Sequence, residues 1–196
     1  FGLNEFNMRE SAKNFSIKDL VEIKKICESG KKKVKRYLTL NTIIYDTELK
    51  KIEEIIKKAK HFVNAIICWD LSVIQLCRKY KIPFHISTQA SISNSETAKF
   101  YKKLGAERVI LARELNIQQI KEIAKIMPVE VFIHGAMCVS VSGRCFTSQF
   151  LFGKSANRGE CLQPCRRTYE IKDEDGNELR LENNTVMSAK DLCTLP

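Results

Sequence analysis

Segments with the composition of β-strands alternate with amphipathic helical segments along residues 34–135. The strand candidates are short, apolar and rich in β-branched residues, and the segments between them carry apolar positions at helical spacing. Strict alternation of this kind predicts an α/β fold in which helices cover a parallel sheet. The five predicted strands span residues 34–45, 63–69, 83–89, 108–113 and 129–135, with helices at 47–60, 71–80, 93–105 and 117–127.

Two parallel architectures fit this alternation, a doubly wound sheet and a (β/α) barrel. No Gly-rich phosphate-binding loop follows any predicted strand, so the usual signature of a dinucleotide-binding sheet is missing and a barrel is favoured. A further helix is predicted at 14–30, with Ser16 as its N-cap and Gly30 as its end. Asp46 and Asp70 stand where they would cap the next helices.

Polar side chains follow the predicted strands at their carboxyl ends, where barrels carry their functional residues. Helix capping is the alternative explanation for Asn, Asp and Thr at such positions. Capping explains the Gln, Glu and His residues less well, so a substrate pocket is expected at this rim. The candidate pocket residues are Asn41, Gln89, Arg113, Glu114 and His134.

The alternation stops after residue 136, which divides the chain into three parts. Residues 1–136 are predicted to form the partial barrel, and residues 137–168 form a long irregular loop rich in cysteine. Loops of this length in a compact domain are usually functional. Residues 169–196 are predicted to form a β-hairpin turning at 173–178, followed by the start of another barrel unit.

Four of the eight cysteines fall within the irregular loop, at Cys138, Cys145, Cys161 and Cys165. Four thiolates held by one loop can bind zinc or an iron–sulfur cluster. Zinc sites usually bring two close pairs, whereas these uneven spacings favour the bulkier cluster and leave zinc as the alternative. Of the scattered cysteines, Cys27, Cys68 and Cys77 are expected in the core, and Cys193 could replace one of the four ligands.

The formal net charge is +10, from 33 Lys and Arg against 23 Asp and Glu. A basic chain attracts phosphate polyanions, although many of its lysines lie on predicted exposed helix faces. Lys31 to Arg36 and the arginines Arg158, Arg166 and Arg167 are the candidate phosphate contacts. The chain shows no export signal and no apolar run long enough to cross a bilayer, so a cytoplasmic location without membrane contact is expected.

Residues 130–148, "EVFIHGAMCVSVSGRCFTS", resemble the signature of the collagenase-like U32 peptidase family. Residues 87–95, 108–116 and 155–170 resemble its companion motifs, so the resemblance covers nearly the whole chain. It implies a fragment of an incomplete TIM-like (β/α) barrel with a cysteine-bearing loop and a small β extension. The family name implies a peptidase, but neither a G-x-S-x-G elbow nor an H-E-x-x-H motif is present.

Better understood members of this family hydroxylate a tRNA wobble uridine, an rRNA cytidine or ubiquinone precursors. By resemblance, Cys138, Cys145 and Cys161 match ligands of a 4Fe–4S cluster, and Cys165 supplies the fourth in the RNA-type spacing. The basic charge also favours RNA over a membrane quinone, so the leading expectation is tRNA wobble uridine 5-hydroxylation with prephenate as the hydroxyl source. A metal-dependent peptidase and a zinc-stapled RNA-binding module are the alternatives.

The resemblance and the rim positions together suggest roles for the remaining candidates. Arg113 would face an anionic substrate, and His134 or Glu114 would move protons. Asn41 and Gln89 would contact the substrate. The sequence does not identify the electron donor or the oligomeric state.

Overall fold

The fold was examined in a computed structural model that describes residues 1–10, 12–178, 185–189 and 191–193. Five parallel strands form one sheet in the order β1-β2-β3-β4-β5. This sequential order is that of an arc of a (β/α) barrel, because a doubly wound sheet reverses its strand order at a switch point. The predicted α/β class is confirmed. The strands are β1 (Tyr37–Thr39), β2 (Ala65–Cys68), β3 (Phe84–Ile86), β4 (Arg108–Ile110) and β5 (Val129–Glu130).

Helices follow the strands as the periodicity predicts, and local caps fix where they begin. Asp70 accepts a hydrogen bond from the Ser72 amide at 2.9 Å, which confirms its predicted cap. Asp46 is not a cap, since it is the first residue of a 3₁₀ turn, Asp46–Glu48. The helices are α1 (Leu20–Ser29), α2 (Leu49–Ala59), α3 (Leu71–Lys79), α4 (Ser95–Lys103), α5 (Ile117–Ala124) and α6 (Thr147–Phe152).

The first helix starts later than predicted because Ser16 is bonded in the wrong sense for an N-cap. The Ser16 amide and hydroxyl both donate to the Asp19 carboxylate, at 2.7 and 2.8 Å. This turn holds the chain just ahead of the helix, which then begins at Leu20. Local side chain to backbone bonds of this kind compete with helix extension.

The core lies between the outer face of the sheet and the helices. On α2 the buried residues Ile52, Ile56 and Ala59 repeat at helical spacing and form its inner stripe. The cysteines Cys68 on β2 and Cys77 on α3 are fully buried in this core, as predicted, whereas Cys27 on α1 is partly exposed.

The predicted strand at 129–135 is wrong in its second half. Only Val129–Glu130 joins the parallel sheet, and His134–Ala136 forms a separate strand, β6, which pairs antiparallel with β7 (Asp191–Cys193). Gly135 has a φ of +124°, a conformation that glycine adopts readily and that a regular parallel strand does not use. His134 therefore belongs to a small second sheet and not to the end of a barrel strand.

The carboxyl-terminal segment is described in part. Lys172 and Glu178 form an antiparallel bridge around a turn in which the Asp173 amide donates to the Asn177 carbonyl at 3.0 Å. The rest of the predicted hairpin, at 179–184, lies outside the described residues. The segment predicted to start another barrel unit contributes β7 to the small sheet. Among the described helices, none has the length and apolar character needed to span a bilayer.

Candidate functional site

Three buried polar side chains tie the carboxyl ends of β1 and β3 together. The Asn41 amide donates to the Ser87 hydroxyl at 3.3 Å, and Ser87 donates in turn to the side-chain oxygen of Gln89. The backbone amide of Met8 donates to the Asn41 side-chain oxygen at 3.1 Å. Because both ends of the Asn41 amide are engaged, it orients its neighbours as well as facing the space above the sheet.

A cavity of about 440 Å³ opens above this network, on the inner face of the barrel arc. Its floor includes Ile67 on β2 and Ile110 on β4, and its polar groups come from Asn41, Gln89 and Glu130. A mostly apolar cavity of this volume with a few polar groups is the usual form of a small-molecule or nucleobase site. We call it the interior cavity.

The amino-terminal segment closes one side of the interior cavity, and nothing in the sequence patterning indicated this. Asn7, Met8 and Arg9 all line it. Asn7 is buried, and its side-chain oxygen accepts the Arg9 amide at 2.8 Å. The segment carries no helical or strand periodicity, so its site residues could not be recognised without the fold.

All four cysteines of the irregular loop line one second cavity, of about 190 Å³. We call it the cysteine cavity. The pKa of the Cys165 thiol is raised, first by burial and then by the neighbouring Cys138, Cys161 and Cys145. A shift with those causes places the four thiols close together. The Cys145 amide also donates to the buried Asn157 side-chain oxygen at 2.9 Å, which fixes the loop there.

The two cavities share a thin wall. Met8, Thr88 and Gln89 line both of them. Gly143 of the cysteine loop packs directly on the Gln89 side chain, since a Cβ at Gly143 would lie 2.8 Å from Gln89 Cγ. Any group held by the thiols would therefore lie one side chain away from a ligand in the interior cavity.

The donor set fits a four-thiolate cluster better than a single metal ion. Within the described ranges, no three His, Cys, Asp or Glu side chains converge closely enough to hold one ion. Zinc requires its sulfur ligands at about 2.3 Å from one point. Four cysteines spread around a cavity match the ligand count of an iron–sulfur cluster, which is a larger body.

Arg158 anchors the cysteine loop to the barrel instead of standing free for phosphate. Its guanidinium donates to both oxygens of Glu48 and, at 2.6 Å, to the Ile43 carbonyl. It also stacks on the Tyr45 ring, 4.4 Å from the ring centroid. These contacts correct its predicted role, because the fork of donors is already used.

Removing this anchor is expected to destabilise the protein in a pH-dependent way. The hydrogen bonds from Arg158 hold the pKa of Glu48 below its ordinary value of 4.5, so the pair stabilises the fold above that pH and loses its effect as the carboxylate is protonated. Arg158→Gln should lower the free energy of unfolding by about 1–3 kcal/mol at neutral pH. Urea unfolding should show this difference shrinking at about pH 3.

A matched control for the anchor is Lys154→Gln. Lys154 pairs with Glu160 at 2.8 Å, but its side chain is more than half exposed. Exposed pairs contribute about 0–1 kcal/mol. Equal losses for the two variants would contradict the assignment of Arg158 as the anchor.

Arg113 and His134 come together at a third cavity of about 250 Å³, next to Cys138. Arg113 donates to the Ser140 carbonyl at 2.9 Å and contacts the Met137 sulfur at 3.6 Å. His134 is exposed on β6 and lines the same cavity. Glu114 is also exposed, but it is not part of the lining of this cavity or of the other two.

The other predicted phosphate contacts are divided between the two edges of the sheet. Arg166 pairs with Asp191 at 2.9 Å, and the exposed Arg167 stacks on the Phe152 ring at 4.8 Å, both near the cysteine cavity. The run from Lys31 to Arg36 directly precedes β1 and lies at the amino-terminal edge, opposite the site. Arg36 is in addition buried against Glu28. This run is too far along the strand direction to serve the site, which corrects its predicted role.

The model of peptidase family U32 matches residues 1–196, and the chain belongs to this family. A collagenase of Porphyromonas gingivalis is 42% identical over all of this chain and 50% of its own length. A 23S rRNA 5-hydroxycytidine synthase of Escherichia coli is 39% identical over 95% of this chain and 28% of its own. A tRNA hydroxylation protein of Bacillus subtilis is 35% identical over 97% of this chain and 47% of its own. The chain therefore spans half or less of the length of these relatives.

Proposed function

We propose that this chain carries the cluster-binding half of an RNA hydroxylation enzyme. The observation that supports this most is the placement of Cys138, Cys145, Cys161 and Cys165 around one cavity, separated from a nucleobase-sized cavity by the Gln89 side chain. A redox cofactor beside a buried organic pocket is the arrangement that oxidation of a bound base requires.

In this proposal the four cysteines hold a 4Fe–4S cluster. The bound cluster would supply electron transfer, which main-group zinc cannot supply. The chain's own residues bind and orient the substrate. Gln89 and Asn41, held by Ser87, present amide groups to the interior cavity, where they can donate to and accept from the polar edge of a base. His134, at the adjoining cavity, is the candidate for moving a proton.

The surface beside the cysteine cavity supports a nucleic-acid substrate. Phe146 and Phe150 are separated by one helical turn, and their side chains are 66% and 88% exposed. Exposed aromatic rings next to basic side chains stack the bases of single strands. Arg144 and Arg167 are the exposed basic residues nearest in sequence to these rings.

The more specific form of the proposal is 5-hydroxylation of a tRNA wobble uridine, with prephenate as the hydroxyl source. The relative named for tRNA hydroxylation and the RNA-type spacing of Cys161 and Cys165 favour it. Because a base in a folded tRNA loop is already unpaired, it could enter the interior cavity without opening a duplex. Such a reaction would take place in the cytoplasm.

A collagenase-like peptidase is the second candidate, favoured by the relative that bears that name. Peptide hydrolysis needs an activated nucleophile or a metal with an open position. Among the described contacts, His134 makes no hydrogen bond to a serine or cysteine. His85 is buried on β3, and burial together with the Arg108 charge lowers its pKa to about 4, so it stays neutral and lines none of the three cavities. The geometry therefore favours hydroxylation.

Anaerobic purification of the chain followed by metal analysis tests the proposal. We expect about four iron and four sulfide per chain and a broad absorbance at about 400 nm. One equivalent of tightly bound zinc with no iron would refute the cluster and favour a zinc-stapled RNA-binding module. Cleavage of a collagen peptide by metal-free protein of high purity would favour the peptidase.

A further inference from the structure

We infer that the cavity lined by Arg9, Arg113 and His134 is an oxyanion subsite that takes a phosphate or carboxylate group of a ligand. This inference deepens the proposed function and rests on it for the choice of ligands. The cavity has a volume of about 250 Å³ and lies between the cysteine loop and the end of β4. We call it the arginine cavity.

Arg113 differs from every other arginine that is buried or half-buried in the described part of the chain. Each of those guanidinium groups pairs with a carboxylate within 3.2 Å; the pairs are Arg36–Glu28, Arg108–Glu130, Arg158–Glu48 and Arg166–Asp191. Arg113 is half-buried as well, but its described contacts are the neutral Ser140 carbonyl and Met137 sulfur. A partly desolvated cation without a counter-ion is unfavourable unless a ligand supplies the negative charge.

The lining of the arginine cavity has the matching charge. It includes two arginines and a histidine but no Asp or Glu. Hydroxyl groups of Thr88 and Ser142 add neutral donors. A concave surface of one charge sign concentrates ions of the opposite sign. The arginine cavity is therefore suited to an anion and unsuited to a cation.

The contacts of Arg113 also fix the direction of its free donors. A guanidinium has five N–H groups. Two of its nitrogens are directed at Ser140 and Met137, which hold the plane of the group against the cysteine loop. The remaining donors form the planar fork that binds phosphate or carboxylate oxygens in pairs.

The location of the arginine cavity connects the anion to both other cavities. Thr88 lines all three of them, and Cys138 lines the arginine cavity and the cysteine cavity. An anion held here would lie beside the thiols and at the mouth of the interior cavity. Two sources fit this position, a backbone phosphate of the bound RNA and the carboxylate of a small co-substrate.

Isothermal titration of the purified chain with inorganic phosphate, and separately with malonate, tests the subsite. We expect saturable binding of at least one of these anions to the unsubstituted protein. Arg113→Gln should weaken it about tenfold or more, since charge-assisted paired bonds are lost. Arg9→Gln should weaken it severalfold and leaves the loop contacts of Arg113 in place, so it serves where Arg113→Gln is poorly folded.

Arg144→Gln is the matched control because Arg144 is exposed on the same loop but does not line the arginine cavity. Binding should be unchanged in this variant. An equal loss in Arg144→Gln and Arg113→Gln would mean general charge attraction and would overturn the inference. Absence of saturable binding of both anions to the unsubstituted protein would overturn it as well.

A labelled oligouridylate distinguishes the two sources. If the subsite takes an RNA phosphate, inorganic phosphate should compete with the oligouridylate, and Arg113→Gln should weaken oligouridylate binding too. If it takes a small carboxylate, malonate should bind without displacing the oligouridylate. Both results support the subsite.

Iron content separates this inference from the proposed function. Variants that keep their iron and lose anion binding confirm the subsite independently of the cluster. A protein that binds anions through Arg113 but never holds iron would refute the cluster and leave the subsite standing. Iron-loaded protein without anion binding would do the opposite.

Discussion

Replacing Cys161 with serine is expected to abolish cluster binding. A serine hydroxyl does not ionise at neutral pH and is a poor ligand for iron, so three thiolates would be left for a four-ligand cluster. Iron should fall from about four to below about one per chain, and the absorbance at about 400 nm should disappear. The same loss is expected for Cys138→Ser and Cys145→Ser. Anaerobic reconstitution followed by iron and sulfide analysis measures it.

Two further cysteine variants make this test specific. Cys27→Ser is the matched control, because Cys27 lies on α1 outside the cysteine cavity and should leave the iron content unchanged. Cys165→Ser should behave like Cys161→Ser, whereas Cys193→Ser should keep the cluster. Full iron content in Cys161→Ser would contradict the proposed ligand set, and loss of iron only in Cys193→Ser would make Cys193 the fourth ligand.

Gly159→Ala is expected to cause the largest loss of stability among single methyl additions. Gly159 has a φ of +102°, and a Cβ there would lie 2.3 Å from the Asn7 carbonyl oxygen. The Gly159 carbonyl also accepts the Glu10 amide at 3.2 Å, so the position joins the cysteine loop to the amino-terminal segment. Backbone must move to admit the methyl group, and we expect a loss of about 3 kcal/mol or more in the free energy of unfolding.

Gly153→Ala provides the control for backbone strain alone. Gly153 also has a positive φ, +66°, but a Cβ there would meet nothing within 4 Å. The cost should be about 1–2 kcal/mol. Urea unfolding of both variants gives the comparison, and a similar cost at the two positions would show that the approach of Asn7 to Gly159 is not important. Gly159→Ala should also weaken ligand binding, because Asn7, Met8 and Arg9 line the interior cavity.

The site could be predicted from the sequence only where chemistry and chain position coincide. The four cysteines are close together in the chain and meet in the structure around one cavity; what they bind stays a prediction. Gln89 and Asn41 stand at strand ends and both face the interior cavity, as the barrel rule indicates. Glu114 also follows a strand, but its side chain is exposed, because position along a strand does not fix direction at the residues after it.

The arginines show where sequence reasoning failed. Charge alone grouped Arg158 with the phosphate contacts, yet its partner Glu48 lies 110 residues earlier in the chain. No local pattern marks such a pair. The glycines of "SGRC" and "RGEC", at Gly143 and Gly159, were the available signal, since glycine often marks close backbone approach.

The sequence by itself determined the order of strands and helices, the inward stripe of α2 and the clustering of four thiols. These features depend on periodicity and on spacing between near neighbours, which the chain displays directly. Only the tertiary structure decided that His134 leaves the parallel sheet, that Arg158 is an anchor, and that Arg113 lacks a carboxylate partner. Each of these depends on contacts between segments far apart in the chain, and the free energy of such contacts exists only once the chain is folded.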